Sequence, residues 1–159
     1  MTTLHFEDIE IGQRLASPYY LVTREAIVEF VRAWDPHPFH LDDAEAERSV
    51  FGGLAACAAH IFAIQSRLSH ELPAHVALVA GLGGDGLELL APVRAGVRLR
   101  LLRRFTSKRP SRSRPGCGVV GVEHALETPG GEVLARTSGA ILVARRAAPA
   151  PGAAARGAP

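Results

Sequence analysis

The sequence LAACAAHIFAIQSRL, residues Leu54–Leu68, determines how the rest of the chain must pack. Alanine is abundant in it, and its first part is apolar on every side. A helix that is apolar all round is buried in a core, and small side chains let neighbouring backbone approach closely. We therefore predict a central helix over these residues, ended by Pro73.

The second half of the chain has the patterns of β-strands. VRLRLLRRF alternates apolar residues with arginine, which is typical of a half-exposed strand, and its change of phase at Leu101–Leu102 indicates a β-bulge. TPGGEV, from Thr128 to Val133, indicates a hairpin turn, whereas SKRPSRSRPG is a longer connection. The predicted strands are Val76–Gly84, Leu87–Leu90, Val97–Phe105, Val119–Glu127 and Val133–Ala144.

A sheet must bury one face, so the simplest fold class is α+β, with an antiparallel sheet wrapped around the long central helix. We expect one domain over residues 1–146, followed by an Ala, Pro and Gly-rich tail, 147–159, that is disordered. A single sheet leaves an open edge that a second copy of the chain could extend. A homodimer, or a dimer of dimers, is therefore expected.

Composition excludes several classes of protein. The formal charge of +2 is too small for a nucleic-acid binder, and no apolar run is long and unbroken enough to span a membrane. Cys57 and Cys117 are far apart and outside any CxxC pair, so neither a disulfide framework nor a zinc site is predicted. The polar N-terminus does not resemble a signal peptide, which predicts a cytoplasmic protein.

The stretch RAWDPHPFHLDD, from Arg32 to Asp43, follows a second predicted helix. That helix is capped by Thr23, and its apolar residues recur at helical spacing. Pro36 should end the helix at Asp35, and Pro38 should prevent it from restarting. Asp35 and His40 would then lie together on a stiff loop.

An aspartate and a histidine on such a loop can share one water molecule. The carboxylate accepts one proton of the water, and the imidazole accepts or returns another. The same residue types also occur in ordinary loops, and spacing alone favours that interpretation. The context favours chemistry, because GGLAACAA follows, and backbone N–H groups at a helix start stabilise a developing oxyanion. The candidate donors and substrate contacts are Gly53, Cys57, Ala58 and Ala59.

Three segments together resemble the MaoC-like dehydratase family, which includes the (R)-specific enoyl-CoA hydratases of the hotdog fold. They are DPHPFHLD, FGGLAACAAH at the start of the central helix, and the block from Leu89 to Arg146 with its APVRAG turn and RPSRSRP segment. The resemblance covers almost the full length except the tail. DPHPFHLD corresponds to the family pattern D-x-N-P-x-H-x-D.

The resemblance implies a dimeric hotdog protein that reversibly hydrates a trans-2-enoyl-CoA to a (3R)-hydroxyacyl-CoA. It implies that Asp35 is the base, and that His40 orients the water and shares in proton delivery. It implies no metal and no other cofactor, since CoA is part of the substrate. Two alternatives remain open: a hotdog acyl-CoA thioesterase, and a catalytically silent acyl-CoA-binding subunit.

The chain departs from the family pattern at the site. His37 stands where the family usually has asparagine, and Ala58 where it usually has glycine in the helix entry. Cys57 and Ala59 replace residues that are often larger or more polar. These departures leave the catalytic pair intact, and they predict a substrate pocket that differs from the common type.

Several neighbours are candidates for pocket or loop support. Phe39 is expected in the core or the pocket wall, like Trp34. Asp42 is a candidate to cap or orient the loop, although its interpretation as a solvated acid is favoured. His60 is interpreted as a packed helix histidine, and Cys57 as an inert thiol. The arginines of RRFTSKRPSRSRP form a solvated connection, with one or two that could meet CoA phosphates.

Overall fold

The computed structural model of the protein describes residues 2–146, and the predicted tail lies outside the described residues. The helices are a 3₁₀ turn at Phe6–Asp8, α1 (Arg24–Trp34), α2 (Pro38–Leu41), α3 (Asp43–Arg48) and α4 (Ala58–Ser69). The strands are β1 (Thr2–Leu4), β2 (Arg14–Ala16), β3 (Tyr20–Leu21), β4 (Ala74–Val76), β5 (Leu78–Leu89), β6 (Arg98–Pro110), β7 (Cys117–Glu127) and β8 (Val133–Ala144).

The predicted antiparallel sheet around a helix is confirmed. The main sheet has the order β2-β6-β7-β8-β5, with β3 also paired to β6, and every pair in it is antiparallel. β1 and β4 form a separate parallel pair. α4 packs on one face of the main sheet, which we call the inner face. β5 lies at one edge of the sheet order.

The central helix begins at Ala58, so the prediction of a helix start at Leu54 was wrong. Leu54–Cys57 is instead extended, because Ala55 forms a bridge with Arg94 and the Ala56 N–H donates to the carbonyl oxygen of Val93 at 2.8 Å. The helix is also not buried all round in the single chain. Phe62 is 53% exposed, on the same side as the exposed Ala58.

The bounds of β5 and β6 differ from the predicted ones, because pairing with neighbouring strands extends both strands through sequence that favours turns. β5 joins two predicted strands, with register shifts across its glycine-rich middle, and β6 continues through the predicted connection to Pro110. The register of β6 is regular at Leu101–Leu102, so the predicted bulge there was wrong, and the shift lies between Phe105 and Ser107. Arg103 therefore shares the inner face with Leu101 and Phe105.

Helix α1 has the predicted limits. The Thr23 hydroxyl accepts from the Ala26 N–H at 3.1 Å, and Asp35 follows the last helical residue. Trp34 is 74% exposed, so its expected place in the core or pocket wall was wrong for the single chain. Pro38 does not block a helix but starts the short α2, where its missing N–H and fixed φ are tolerated.

Two apolar clusters form the core. The larger one surrounds α4 and includes inner-face residues such as Leu101 and Leu126. In the second, the N-terminal arm packs on the other end of the sheet, with Leu4, Phe6, Ile9, Phe105, Val120, Val122 and Val143 buried together. Glu7 accepts from Arg145, and Asp8 from Arg146, so the two ends of the described chain are joined. Within residues 2–146, no helix has the length and apolarity needed to cross a membrane.

Candidate active site

His40 is held on α2 by one backbone group. Its side chain is buried, and Nδ1 lies 2.8 Å from the carbonyl oxygen of Ala55. Because a carbonyl oxygen only accepts, Nδ1 must carry the proton. Nε2 is then an acceptor, and it has no hydrogen-bond partner among the described residues. The rings of Phe39 and Phe51 lie 4.6 and 5.7 Å from the imidazole and fix its plane.

Asp35 reaches the same segment from the end of α1. Its carboxylate lies close enough to the Cys57 thiol to contribute to a raised pKa of that thiol. On its other side, Oδ1 lies 3.4 Å from Nε2 of His37, whose side chain is mostly exposed. The structure thus brings Asp35 and His40 to the short Ala55–Cys57 segment, immediately before α4.

The first turn of α4 presents unengaged backbone donors. Cys57 occupies the cap position without a side-chain cap hydrogen bond. The N–H groups of Cys57 and Ala58 have no acceptor within the part of the chain that the structure describes. Those of Ala59 and His60 point toward the Cys57 sulfur and lower the pKa of its thiol, against the larger effect of burial. These groups and the helix dipole favour negative charge at this point.

Gly53 has a different place from the other predicted donors. Its N–H donates to the carbonyl oxygen of Ala46 at 3.1 Å, so this donor is already engaged. The backbone here is left-handed, with φ of 138° at Gly53, and Arg94 donates to the neighbouring carbonyl oxygen of Gly52 at 2.6 Å. Gly53 therefore shapes the turn that leads into α4.

Cys57 and His60 are both uncharged in this environment. Burial is the largest cause of the raised pKa of the Cys57 thiol, and a protonated thiol is a poor nucleophile. Burial also lowers the pKa of His60, whose ring stacks on Phe30 with centroids 4.5 Å apart. Both observations agree with the predicted inert thiol and packed histidine.

The remaining support residues organise the loop. The Phe39 ring stacks on His37 with centroids 5.1 Å apart and makes a tilted contact with His40, so it lies between the two histidines. Asp42 accepts from the Glu45 N–H at 2.9 Å and caps α3. Among residues 2–146, no group of three or more His, Cys, Asp or Glu side chains could hold a metal ion.

The partner of His40 could not be predicted from a side-chain motif. Ala55 contributes only its backbone carbonyl, and the extended backbone at Leu54–Cys57 that presents it was predicted to be helical. The bridge between Ala55 and Arg94, 39 positions later in the chain, holds the carbonyl in place. This long-range pairing has no local sequence signal.

The family model of the MaoC like domain matches residues 8–128, which includes every site residue described above. The chain belongs to the MaoC-like dehydratase family. The expected family and the hotdog fold are thereby confirmed, with the antiparallel sheet and central helix as the common architecture.

Solved structures agree with this assignment. A MaoC-like dehydratase from Rhodospirillum rubrum is 34% identical, with 91% of this chain and 99% of that chain covered and a TM-score of 0.83. An (R)-hydratase from A. caviae involved in PHA biosynthesis is 20% identical over 85% and 97% of the two chains, with a TM-score of 0.67. A 3R-hydroxyacyl-ACP dehydratase complex from Mycobacterium tuberculosis is 20% identical over 83% and 96%, with a TM-score of 0.64.

The two distant similarities show the fold alone. No curated protein matches the chain. Family membership indicates hydratase or dehydratase activity for this MaoC-like protein.

Proposed function

We propose that this MaoC-like protein catalyses the reversible hydration of a trans-2-enoyl-CoA to a (3R)-hydroxyacyl-CoA. The observation that carries the proposal is the arrangement around Ala55–Cys57. A histidine with a free Nε2, an aspartate and a set of unengaged helix N–H groups meet there. A water-activating pair next to an oxyanion site is what addition of water to an enoyl thioester requires.

In the proposed hydration, one water molecule lies between Asp35 and His40. Asp35 accepts a proton as the water oxygen bonds to carbon-3, while Nε2 of His40 accepts the other hydrogen and orients the water. The electrons of the carbon–carbon double bond move toward the thioester oxygen. When these electrons return from the thioester oxygen, carbon-2 takes up the proton that Asp35 accepted from the water, with His40 sharing in its delivery. One water molecule has then been added and Asp35 is again ionised.

The negative charge on the thioester oxygen would be met by the first turn of α4. The N–H groups of Cys57, Ala58 and Ala59 are the proposed donors, and the methyl groups of the two alanines leave the backbone approachable. Replacing the usual glycine by Ala58 keeps a backbone donor and adds one methyl group beside the thioester. The reaction as proposed uses no metal and no cofactor other than the CoA of the substrate.

The proposed assembly is a homodimer, or a dimer of such dimers, joined at the β5 edge. β5 is 12 residues long and ends the sheet order. Its exposed apolar residues are Leu78, Val79, Leu82 and Leu89. A long apolar edge strand favours pairing with another chain.

The test follows the loss of enoyl absorbance over a panel of trans-2-enoyl-CoA esters, with free thiol measured in parallel. We expect absorbance loss without thiol release, and loss of that activity in folded Asp35→Asn and His40→Ala proteins. Thiol release would overturn the proposal in favour of a thioesterase. Binding of the CoA esters without turnover would instead identify a silent acyl-CoA-binding subunit.

A further inference from the structure

A chain of hydrogen bonds crosses the inner face of the sheet, between the two apolar clusters. Arg103, His124 and Thr137 are direct neighbours on β6, β7 and β8. Arg103 Nε donates to His124 Nε2 at 2.9 Å, His124 Nδ1 and Thr137 Oγ1 are 3.3 Å apart, and Thr137 Oγ1 donates to Gln65 Oε1 at 3.0 Å. We call these four residues the polar row.

Each proton in the polar row has a defined place. Arginine only donates, so Nε2 of His124 accepts, and the single proton of the neutral ring lies on Nδ1 and points to Thr137. Burial and the charge of Arg103 lower the pKa of His124 to about 4, which keeps the ring neutral. The atoms left without a partner among the described residues are the Nη1 and Nη2 groups of Arg103 and the amide nitrogen of Gln65. All of them are donors.

Arg103 differs from its neighbours on β6 because no carboxylate faces it. Arg100 donates to Glu127 at 2.6 and 2.8 Å, and Arg104 donates to Glu123 at 2.6 and 3.0 Å. Arg103 makes no ion pair within residues 2–146, although burial lowers the pKa of its guanidinium to about 10. A cation withdrawn from water without a counter-charge is costly, and a bound anion would relieve the cost.

The polar row lies along the helix from the candidate active site. Ala58 and Gln65 are seven residues apart on α4, so they are on the same side of the helix and about 10.5 Å apart along its axis. His60, which stacks on Phe30 of α1, points to a different side. Gln65 bonds to β8 on the side of the sheet that carries β5. A group attached to a thioester at Ala58 would run along this side of α4, past the exposed Phe62, toward the Gln65 and Thr137 end of the polar row.

We propose that Arg103 binds a carboxylate at the far end of the acyl group, so that the substrates are enoyl thioesters with a terminal carboxylate. His124 is a positioning residue, because its neutral ring fixes Nε of Arg103 and leaves both Nη groups free for a bidentate contact. Thr137 and Gln65 fix the ring in turn. This assignment rests on the proposed function, since it places the thioester at the first turn of α4.

The deciding comparison uses two series of trans-2-enoyl-CoA esters of equal chain lengths, one ending in a carboxylate and one in a methyl group. For the native protein we expect kcat/KM to be higher for the carboxylate ester by roughly tenfold to a hundredfold at the best length. Arg103→Met should abolish this preference. Arg104→Met is the matched control, because Arg104 is the next residue on β6, points to the opposite face and has its own carboxylate.

The outcomes separate this inference from the proposed function. Turnover of methyl esters at least equal to that of carboxylate esters by the native protein would overturn the Arg103 assignment and leave the hydratase intact. If no ester is turned over, calorimetry should compare the binding of two saturated acyl-CoA esters, one ending in a carboxylate and one in a methyl group. Equal affinities for the two esters would overturn the Arg103 assignment. The native comparison stands even if Arg103→Met fails to fold.

Two further experiments examine the source of the bound anion and the role of His124. Binding of free glutarate that depends on Arg103, without any preference between the two esters, would assign the site to a free carboxylate and overturn the acyl-group assignment. His124→Gln keeps an acceptor for Arg103, and His124→Leu removes it. We expect His124→Leu to raise KM for the carboxylate ester alone and His124→Gln to restore it, whereas equal changes in kcat for both esters would indicate a structural role.

Discussion

The carbonyl oxygen of Ala55 lies 2.8 Å from Nδ1 of His40, and this contact determines which nitrogen of the ring is available for chemistry. An alanine whose side chain does nothing beyond packing thus sets the tautomer of a candidate catalytic histidine. The contact also explains why the backbone before α4 must be extended. A helical Leu54–Cys57 segment would direct its carbonyl groups along the helix axis.

The first prediction separates the two ring nitrogens of His40. In His40→Asn, the side-chain amide can still donate to Ala55 while the acceptor at Nε2 is lost. We expect a folded protein whose hydration rate falls by roughly a hundredfold or more. His37→Asn, the same change on an exposed neighbour, should keep the rate within about threefold. Near-native activity of His40→Asn would show that Nε2 does not touch the water.

The second prediction concerns the thiol of Cys57. Because burial keeps it protonated, we expect Cys57→Ser to hydrate the substrate within about threefold of the native rate. A serine hydroxyl caps a helix start better than a thiol does. The free energy of unfolding of Cys57→Ser should therefore equal that of the native protein or exceed it by up to about 1 kcal/mol. Urea unfolding and the absorbance assay test both statements. Complete loss of activity in the folded serine variant would point to a nucleophilic cysteine.

The third prediction is a pH dependence of stability that arises from His124. Its pKa is about 4 in the folded protein against the ordinary 6.5, so between these values the unfolded chain binds more protons. The stabilising contribution is complete above about pH 6.5 and is lost as the pH falls toward 4. Since the side chain is only half-buried, we expect a difference of roughly 1 kcal/mol between pH 7 and pH 5.

Urea unfolding of the native protein and His124→Gln at the two pH values measures this contribution. The glutamine variant should lose part of the pH dependence and keep the part due to His60, whose pKa is also lowered by burial. His70→Gln, at an exposed position, should match the native protein. An unchanged pH dependence in His124→Gln would contradict the prediction.

The fourth prediction tests the close contact between β5 and β8. A methyl group added at Gly84 would stand 1.9 Å from the carbonyl oxygen of Ser138, and backbone cannot yield as a side-chain end can. We expect Gly84→Ala to lower the free energy of unfolding by about 2 kcal/mol or more. Gly81→Ala, with nothing within 4 Å on the same strand, should change it by less than about 0.5 kcal/mol. Equal effects at the two glycines would show that β5 can shift away from β8.

The fifth prediction concerns the β5 edge. Light scattering should give the mass of a dimer or tetramer. Leu82→Asp places a charge on a half-exposed β5 residue and should weaken the assembly by at least roughly tenfold. Ile11→Asp puts the same charge on a more exposed residue near β2, at the other end of the sheet order, and should leave the mass unchanged. A monomeric native protein would remove the basis of the proposed assembly.

Local signals predicted much of this fold, because they act within a few residues. Thr23 as a cap and Pro36 as a stop define α1, and the turn at Thr128–Val133 defines the last hairpin. The start of α4 was missed because alanine-rich sequence favours a helix, whereas Ala55 and Ala56 are engaged by the distant Val93–Arg94 segment. Tertiary hydrogen bonds therefore overrode the local preference.

The polar row shows how an error in the predicted phase of a strand conceals a hydrogen-bonded cluster. The two leucines at Leu101–Leu102 were interpreted as a bulge, which would have turned Arg103 outward. Continuing the alternation from Leu99 through Leu101 places Arg103 on the buried side, and this signal was present in the sequence. The pairing with His124 and Gln65 depends on register between strands, which a single sequence does not determine.

The N-terminal arm has a consequence for how the protein is made. Phe6 and Ile9 precede the rest of the described domain in the chain, yet their cluster includes Val143 of β8, and Glu7 accepts from Arg145 across 138 positions. The second cluster thus stays incomplete until β8 has been synthesised. Until then, Phe6 and Ile9 lack the apolar partners that bury them in the folded protein.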